Sequence, residues 1–259
     1  MIDLPSKRLK QLNNLVVMVT GAGTGFGQAV ALDLMRHGAT VLLVGRRADM
    51  LKQTLDLSLS HVGRGIINPC DITKEDQVSA MLNRVWTETG GVSGLVNCAA
   101  SPVQRGNNGA PLFNIFWDEF IRLFEINVLA IWNLTTTIIK RCGQSKSLRV
   151  VNFSSGAGWA SVGSVGPYNV TKAALNNLSM SLAFEASLAR PDLDLQINAI
   201  NPGEARSEMN SNSKNDPSHV SPLVLKLLTA GLGGPTGRFF DISGRGLRFT
   251  SAKEYFQDF

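Results

Sequence analysis

The sequence predicts an α/β fold, a single doubly wound parallel sheet with helices on both faces. Short apolar, β-branched runs alternate with segments in which apolar residues recur three or four positions apart, which is the pattern of strands joined by crossover helices. The runs are almost continuously hydrophobic, as expected of strands covered on both faces. The chain has 259 residues, and we expect residues 1–259 to form one domain.

Seven strands are expected, in the order in which the apolar runs occur. They are placed at 15–20, 40–44, 65–68, 94–97, 149–153, 196–201 and, for the last one, near 238–242. Helices are expected between them, at 25–37, 47–59, 74–89, 117–141 and 167–189. Two stretches break the alternation, a long loop at 101–114 and an Asn/Ser-rich segment at 208–221. The second is expected to be mobile and to cover a binding site.

Composition excludes several classes of protein. The net charge is +5, but no dense basic run occurs beyond 6–10, so we expect no nucleic-acid partner. The apolar run at 15–20 is too short to cross a bilayer and leads into glycines, so neither a membrane span nor a targeting segment is expected. Three cysteines without CxxC or Cys/His spacing argue against a disulfide framework and against a metal site, and favour a cytoplasmic location.

Glycines dominate the turn after the first strand, where residues 20–27 read TGAGTGFG. The turn passes directly into a predicted helix, so backbone amides and a helix N-terminus can meet a pyrophosphate. Tight turns use the same residues, and a purely structural role is the alternative. We expect this loop to bind a dinucleotide through Gly21, Thr24, Gly25, Phe26 and Gly27.

The end of the second strand indicates which dinucleotide. An acidic residue normally holds the ribose 2′-hydroxyl of NAD at this point. Here the strand runs into Gly45, Arg46 and Arg47 instead. Two guanidinium groups can grip a 2′-phosphate by fork-shaped hydrogen bonds, although arginines that open a helix can also be merely solvated. NADP(H) is therefore the expected cofactor, and NAD(H) is the alternative.

Tyr168 and Lys172 are four residues apart in a predicted helix, which places both on one face. A lysine beside a tyrosine favours the phenolate and so could let the tyrosine exchange protons near neutrality. Ser155 follows the strand that ends at 153, where its hydroxyl could meet the same substrate oxygen. Asn127 lies within a helix, either as a buried polar group or as an anchor between Lys172 and solvent.

Together these motifs resemble the short-chain dehydrogenase/reductase family, with its TGxxxGxG loop and YxxxK pair on a Rossmann fold. The resemblance extends over essentially the whole chain and implies a catalytic set of Asn127, Ser155, Tyr168 and Lys172. It also implies that Asp71 and Ile72 contact the adenine and that the loop at 201–207 holds the nicotinamide. The further cofactor-binding positions that it implies are Asn97, Ala99, Tyr168, Lys172, Pro202, Gly203, Ala205 and Ser207.

The sequence departs from the family pattern in three motifs. The sequence after the fourth strand reads Asn97, Cys98, Ala99, Ala100 where the family has Asn-Asn-Ala-Gly, and Ala130 replaces the glycine of the Asn127 motif. Thr24 takes the place of the basic residue in the glycine-rich loop, which leaves the NADP(H) prediction resting on Arg46 and Arg47. No reacting group is lost by these changes.

The resemblance implies an NADP(H)-dependent oxidoreductase that transfers a hydride between the nicotinamide and a carbonyl or secondary alcohol, such as a ketone or 3-oxoacyl compound. Tyr168 would donate the proton, Ser155 would steady the oxygen, and Lys172 would lower the tyrosine pKa and hold the ribose. An NAD-dependent alcohol dehydrogenase and a non-catalytic nucleotide sensor are the alternatives. A homodimer or homotetramer is implied, in which Phe116, Ile131, Leu178 and Phe184 are candidate contact residues.

Overall fold

The computed structural model describes residues 12–101, 111–143, 146–160 and 162–247. Within these ranges eight strands form one sheet: β1 (Val16–Thr20), β2 (Thr40–Gly45), β3 (Arg64–Pro69), β4 (Gly94–Asn97), β5 (Ser147–Phe153), β6 (Asp194–Ile200), β7 (Arg238–Phe240) and β8 (Gly246–Leu247). Their order is β3-β2-β1-β4-β5-β6-β7-β8. The first seven are parallel, which confirms the predicted sheet. β8 was not predicted and pairs antiparallel with β7.

The alternation of side chains along the strands divides the core into two layers. Val17 and Val19 of β1 belong to one buried cluster, whereas Met18 between them belongs to the other. All three side chains are fully buried. A strand with apolar neighbours on both faces has no solvent side, which explains why these runs are continuously hydrophobic.

Seven α-helices cover the sheet within the described ranges: α1 (Gly25–Arg36), α2 (Ala48–Asp56), α3 (Glu75–Thr89), α4 (Trp117–Phe124), α5 (Ala130–Arg141), α6 (Tyr168–Ala189) and α7 (Ser221–Leu228). Helices α1, α2 and α7 contribute side chains to one cluster, and α3, α5 and α6 contribute to the other. The predicted helices therefore form, with ends shifted by a few residues, whereas α7 was not predicted. No helix in these ranges is long and apolar enough to cross a membrane.

The helix predicted at 117–141 has a different internal structure. Residues Glu125–Leu129 form a π-helical turn that connects α4 to α5. Such turns contain one residue more than an α-helical turn and occur frequently at functional sites. Asn127 lies in this turn and is fully buried.

The two stretches predicted as loops are only partly described. Residues 102–110 of the first lie outside the described ranges. The segment at 208–221 includes part of a turn, in which Ser207 and Asn210 exchange backbone hydrogen bonds, and a 3₁₀ helix at Pro217–Val220. Its last residue already belongs to α7. The segment thus contains regular structure, and its mobility stays a prediction.

Candidate active site

A cavity of about 740 Å³ opens at the carboxyl ends of the parallel strands, where ligands bind in sheets of this type. Most of the residues predicted from the sequence line it: Gly21, Thr24, Gly25, Phe26, Gly27, Arg46, Arg47, Asp71, Ile72, Ala99, Ser155, Tyr168, Lys172, Pro202, Gly203, Ala205 and Ser207. Asn97 and Asn127 are absent from the lining. The loops after the strands therefore converge as the sequence predicts.

The glycine-rich loop is packed too closely for side chains at two points. A Cβ atom on Gly27 would lie 2.2 Å from the backbone oxygen of Gly21. Gly21 itself has φ of +67° and its Cβ would lie 3.0 Å from the Cα of Ala99. Only glycine fits this geometry. The loop thereby brings bare backbone against the start of α1.

Two side chains hold this loop against the sheet. The hydroxyl of Thr54, on α2, donates a 2.9 Å hydrogen bond to the carbonyl oxygen of Ala22. The hydroxyl of Thr20 accepts one of 3.1 Å from the backbone amide of Ala99. Thr24, the residue before α1, makes no side-chain capping bond to that helix. The first amides of α1 thus lack a side-chain cap and can donate to an anion, as a dinucleotide phosphate would require.

Ser155 and Tyr168 both line the cavity, and the Ser155 side chain is the neighbour that lowers the pKa of the Tyr168 phenol. The ammonium of Lys172 is fully buried and donates a 2.7 Å hydrogen bond to the carbonyl oxygen of Phe153. Its nitrogen lies 5.5 Å from the centre of the Tyr168 ring. The three predicted residues therefore form one group.

The turn that carries Ser155 is fastened to α6. Asn176 donates a 3.1 Å hydrogen bond to the carbonyl oxygen of Gly158, and Ser154 donates one of 3.3 Å to the carbonyl oxygen of Lys172. A Cβ atom on Gly158 would lie 2.6 Å from the backbone of Lys172, so glycine is required for this approach. These contacts fix the separation between Ser155 and Tyr168.

The electrostatics differ from the expectation that Lys172 lowers the tyrosine pKa. Burial raises the pKa of Tyr168 above its ordinary value, and the hydrogen bond from Ser155 is the contact that lowers it. Burial also lowers the pKa of Lys172 to about 8, against the opposing influence of Cys98. The reason is that removal from water disfavours both the phenolate and the ammonium. Burial therefore favours the neutral form of both side chains.

The two predicted asparagines that do not line the cavity are buried beneath it. The amide oxygen of Asn127 accepts a 2.8 Å hydrogen bond from the backbone amide of Ser101, and its nitrogen donates to the Ser101 carbonyl at 3.0 Å and to the Thr171 hydroxyl at 3.1 Å. Asn97 donates a 2.8 Å bond to the Asn152 side chain. Their side chains connect the elements next to the site, and their contact with a cofactor or substrate stays a prediction.

The two arginines predicted to bind a 2′-phosphate have different surroundings. Arg47 forms two hydrogen bonds with Glu208, of 3.0 Å and 2.8 Å. The Glu208 hydrogen bond is the main influence that raises the pKa of Arg47. Among the described residues, Arg46 makes no ion pair. The predicted phosphate site is therefore partly occupied by a carboxylate of the same chain.

Sequence reasoning missed Glu208 and His219. Nε2 of His219 lies 2.8 Å from the carbonyl oxygen of Pro202. The imidazole packs edge-on against the Phe26 ring, with 5.8 Å between the ring centres. His219 thus joins the loop after β6 to the start of α1. Neither residue belongs to a local motif, so the sequence offered no signal for either contact.

Comparison with known proteins identifies the family. The sequence model of the family described as short chain dehydrogenase matches residues 15–218. A 4-formylbenzenesulfonate dehydrogenase from Comamonas testosteroni is 28% identical over 191 residues, which cover 74% of this chain and 73% of that protein. A 7alpha-hydroxysteroid dehydrogenase from Escherichia coli is 26% identical over 193 residues, covering 74% and 72%.

Solved structures share the architecture. A short chain dehydrogenase structure from Pseudomonas syringae has a TM-score of 0.81 at 26% identity and covers 93% of this chain and 99% of its own. Another, from Shigella flexneri and complexed with NADP, has a TM-score of 0.77 at 25% identity, with coverages of 91% and 99%. The structural similarity therefore extends over more than nine-tenths of this chain.

Proposed function

The chain belongs to the short chain dehydrogenase family, and on that premise we propose that it is an NADP(H)-dependent reductase of ketones or 3-oxoacyl compounds. As a member of this family it is an oxidoreductase that acts on CH–OH or C=O groups. One observation carries the finer proposal: Ser155, Tyr168 and Lys172 line the same cavity as the glycine-rich loop. A proton donor and a dinucleotide cradle thus face the same space.

The cavity suits a dinucleotide. Its volume of about 740 Å³ is within the range of cofactor sites. Bare backbone at Gly21 and Gly27 and the uncapped start of α1 suit a pyrophosphate at one end. When bound, NADP(H) supplies the hydride that reaches the carbonyl carbon.

The proton comes from the chain. Tyr168 would donate its hydroxyl proton to the carbonyl oxygen as the alcohol forms. The Ser155 hydroxyl would donate a hydrogen bond to the same oxygen. Lys172 would hold the nicotinamide ribose, and Asn127 would keep the loop at Ser101 in place beside the site.

The choice of NADP(H) over NAD(H) is supported by Arg46 and Arg47 and by the lack of an acid at the end of β2. The relative from Shigella flexneri was solved with NADP. One observation favours the alternative, an NAD-dependent alcohol dehydrogenase: Glu208 already engages Arg47.

The curated relatives help to choose the first substrates to test. One is named for an aromatic aldehyde that bears a sulfonate, and another for a hydroxysteroid. We therefore place carbonyls and secondary alcohols on ring-containing molecules first. A small molecule of this kind is the proposed partner, with no nucleic acid.

Assembly and location complete the proposal. A homodimer or homotetramer is supported by the exposure of Phe116 and Phe184, which are 73% and 67% exposed. Ile131, a predicted contact residue, is fully buried in the protomer core and must be withdrawn. The free state of Cys70, Cys98 and Cys142 supports a cytoplasmic location.

The test is a panel of ketones, 3-oxoacyl thioesters and ring-bearing aldehydes, assayed with NADPH and with NADH. Tyr168→Phe is the matched control because it removes only the hydroxyl. The proposal expects NADPH oxidation that falls about 10²- to 10⁴-fold in the control, while nucleotide binding, followed by nicotinamide fluorescence, stays within about twofold. Turnover that survives in the control would remove Tyr168 as the proton donor.

A further inference from the structure

An ion pair spans the mouth of the cavity. Arg47 stands at the end of β2, directly before α2, whereas Glu208 lies in the turn that follows β6 and the loop at 201–207. Nη1 and Nη2 of Arg47 donate to the two carboxylate oxygens of Glu208 at 3.0 Å and 2.8 Å. The pair thus joins two loops that are 161 positions apart in sequence.

The structure of the turn presents Glu208 to Arg47. The backbones of Ser207 and Asn210 exchange hydrogen bonds of 3.2 Å and 3.1 Å. Ser207 also packs against the glycine-rich loop, since a Cβ atom on Gly25 would lie 3.1 Å from that of Ser207. The position of Glu208 is therefore set by backbone contacts on both sides.

The carboxylate uses the donors that a phosphate would use. A guanidinium binds carboxylates and phosphates in the same two-pronged manner. An N–H group of Arg47 that donates to the Glu208 carboxylate cannot donate to a phosphate at the same time. In addition, a carboxylate repels a phosphate dianion held at the same distance from Arg47. A ribose that carries only a hydroxyl encounters neither competition nor this repulsion.

We propose that Glu208 is a specificity-determining residue, which competes with a 2′-phosphate for Arg47 and narrows the preference for NADP(H) over NAD(H). The inference rests on the proposed function, because it assumes that the adenosine ribose lies beside Arg46 and Arg47. Arg46 remains available to donate hydrogen bonds to the 2′-phosphate, so NADP(H) still binds. The extent to which Glu208 occupies Arg47 sets how much more tightly NADP(H) binds than NAD(H).

The experiment measures the ratio of the NADH and NADPH dissociation constants by nicotinamide fluorescence. Competition by 2′,5′-ADP and by ADP then isolates the contribution of the 2′-phosphate. Glu208→Ala is expected to raise the ratio in favour of NADPH about 3- to 10-fold. Both partners are more than half exposed, so this variant should fold.

Two further variants make the result specific. Asp49 acts on Arg47 through charge alone, so Asp49→Ala removes a nearby charge without removing a bond and should change the ratio less. In an Arg47→Ala background, removal of Glu208 should change the ratio much less, because only the direct repulsion between the carboxylate and the phosphate is left to remove. An unchanged ratio in Glu208→Ala, an equal effect of Asp49→Ala, or an effect of Glu208→Ala that keeps its full size without Arg47 would overturn the inference. If the unaltered protein binds neither nucleotide, the proposed function itself fails, which is a distinct outcome.

Discussion

Lys172 directs its ammonium at the carbonyl oxygen of Phe153, 2.7 Å away, and not at the hydroxyl of Tyr168. This contact ties α6 to the end of β5 from inside the protein. It also gives a fully buried cation a hydrogen-bond acceptor inside the protein. The stability of the fold should therefore depend on the protonation of this one residue.

The first prediction concerns that dependence. The pKa of Lys172 is about 8 in the folded chain and about 10.4 in an unfolded one. Between these values the unfolded chain binds more protons, so stability rises with pH. Relative to Lys172→Met, the unaltered protein should gain about 2 kcal/mol in free energy of unfolding between pH 7 and pH 10. Urea denaturation across that range measures it, and parallel pH curves for the two proteins would contradict it.

The second prediction concerns the phenol. The hydrogen bond from Ser155 lowers the pKa of Tyr168, while burial raises it. Ser155→Ala should therefore raise the pKa further. The chain has only two tyrosines, Tyr168 and Tyr255, so ultraviolet absorbance of tyrosinate, with the Tyr168→Phe titration subtracted, isolates one phenol. A Tyr168 pKa that falls or stays constant would show that Ser155 does not stabilise the phenolate.

The third prediction concerns the glycine-rich loop. A methyl group on Gly27 would meet the backbone oxygen of Gly21 at 2.2 Å, which the loop can relieve only by moving. Gly27→Ala should lower the melting temperature and weaken NADPH binding at least 10-fold. Gly231→Ala is the control, since nothing lies within 4 Å of a Cβ atom there. Equal binding by the two variants would mean that the close approach of the loop is unnecessary.

The fourth prediction concerns a buried ion pair far from the cavity. Arg149 is buried, pairs with Asp194 and donates a 2.9 Å hydrogen bond to the carbonyl oxygen of Ala230. Asp194→Asn leaves the guanidinium without its counter-charge and should cost about 3 kcal/mol of stability by urea denaturation. Asp192→Asn removes a more exposed pair with Arg190 and should leave the midpoint nearly unchanged. Comparable losses of stability in the two variants would contradict the expectation that the buried ion pair matters more than the exposed one.

The parts predicted from the sequence are those that local spacing determines. A spacing of four positions places Tyr168 and Lys172 on one helical face, and the glycines at 20–27 predict a turn before a helix. The catalytic roles of these residues stay predictions, since only their placement is visible. The strands were found because both their faces are apolar.

The parts that were missed depend on long-range or ambiguous signals. The hydrogen bonds between Arg47 and Glu208 join residues that are 161 positions apart, so no local sequence pattern predicts them. Helix α7 is apolar on several sides, with Leu223, Val224 and Leu225 all buried, and a short apolar run cannot be assigned to helix or strand by period. The contact between Asn127 and Ser101 was not predicted because Ser101 lies on another loop, and the catalytic role of Asn127 stays a prediction.

The π-helical turn at Glu125–Leu129 has a consequence for the faces of the helix that contains it. Each residue of an α-helix advances about 100° around the axis, so one additional residue rotates everything before the turn by that angle relative to everything after it. Deleting one residue there would restore a regular helix but would swing Trp117 and its neighbours a quarter-turn or more around the axis. The π-helical turn therefore sets the rotation of α4 relative to α5 about the helix axis. With this rotation Asn127 is buried, whereas Trp117 and Trp132 are exposed.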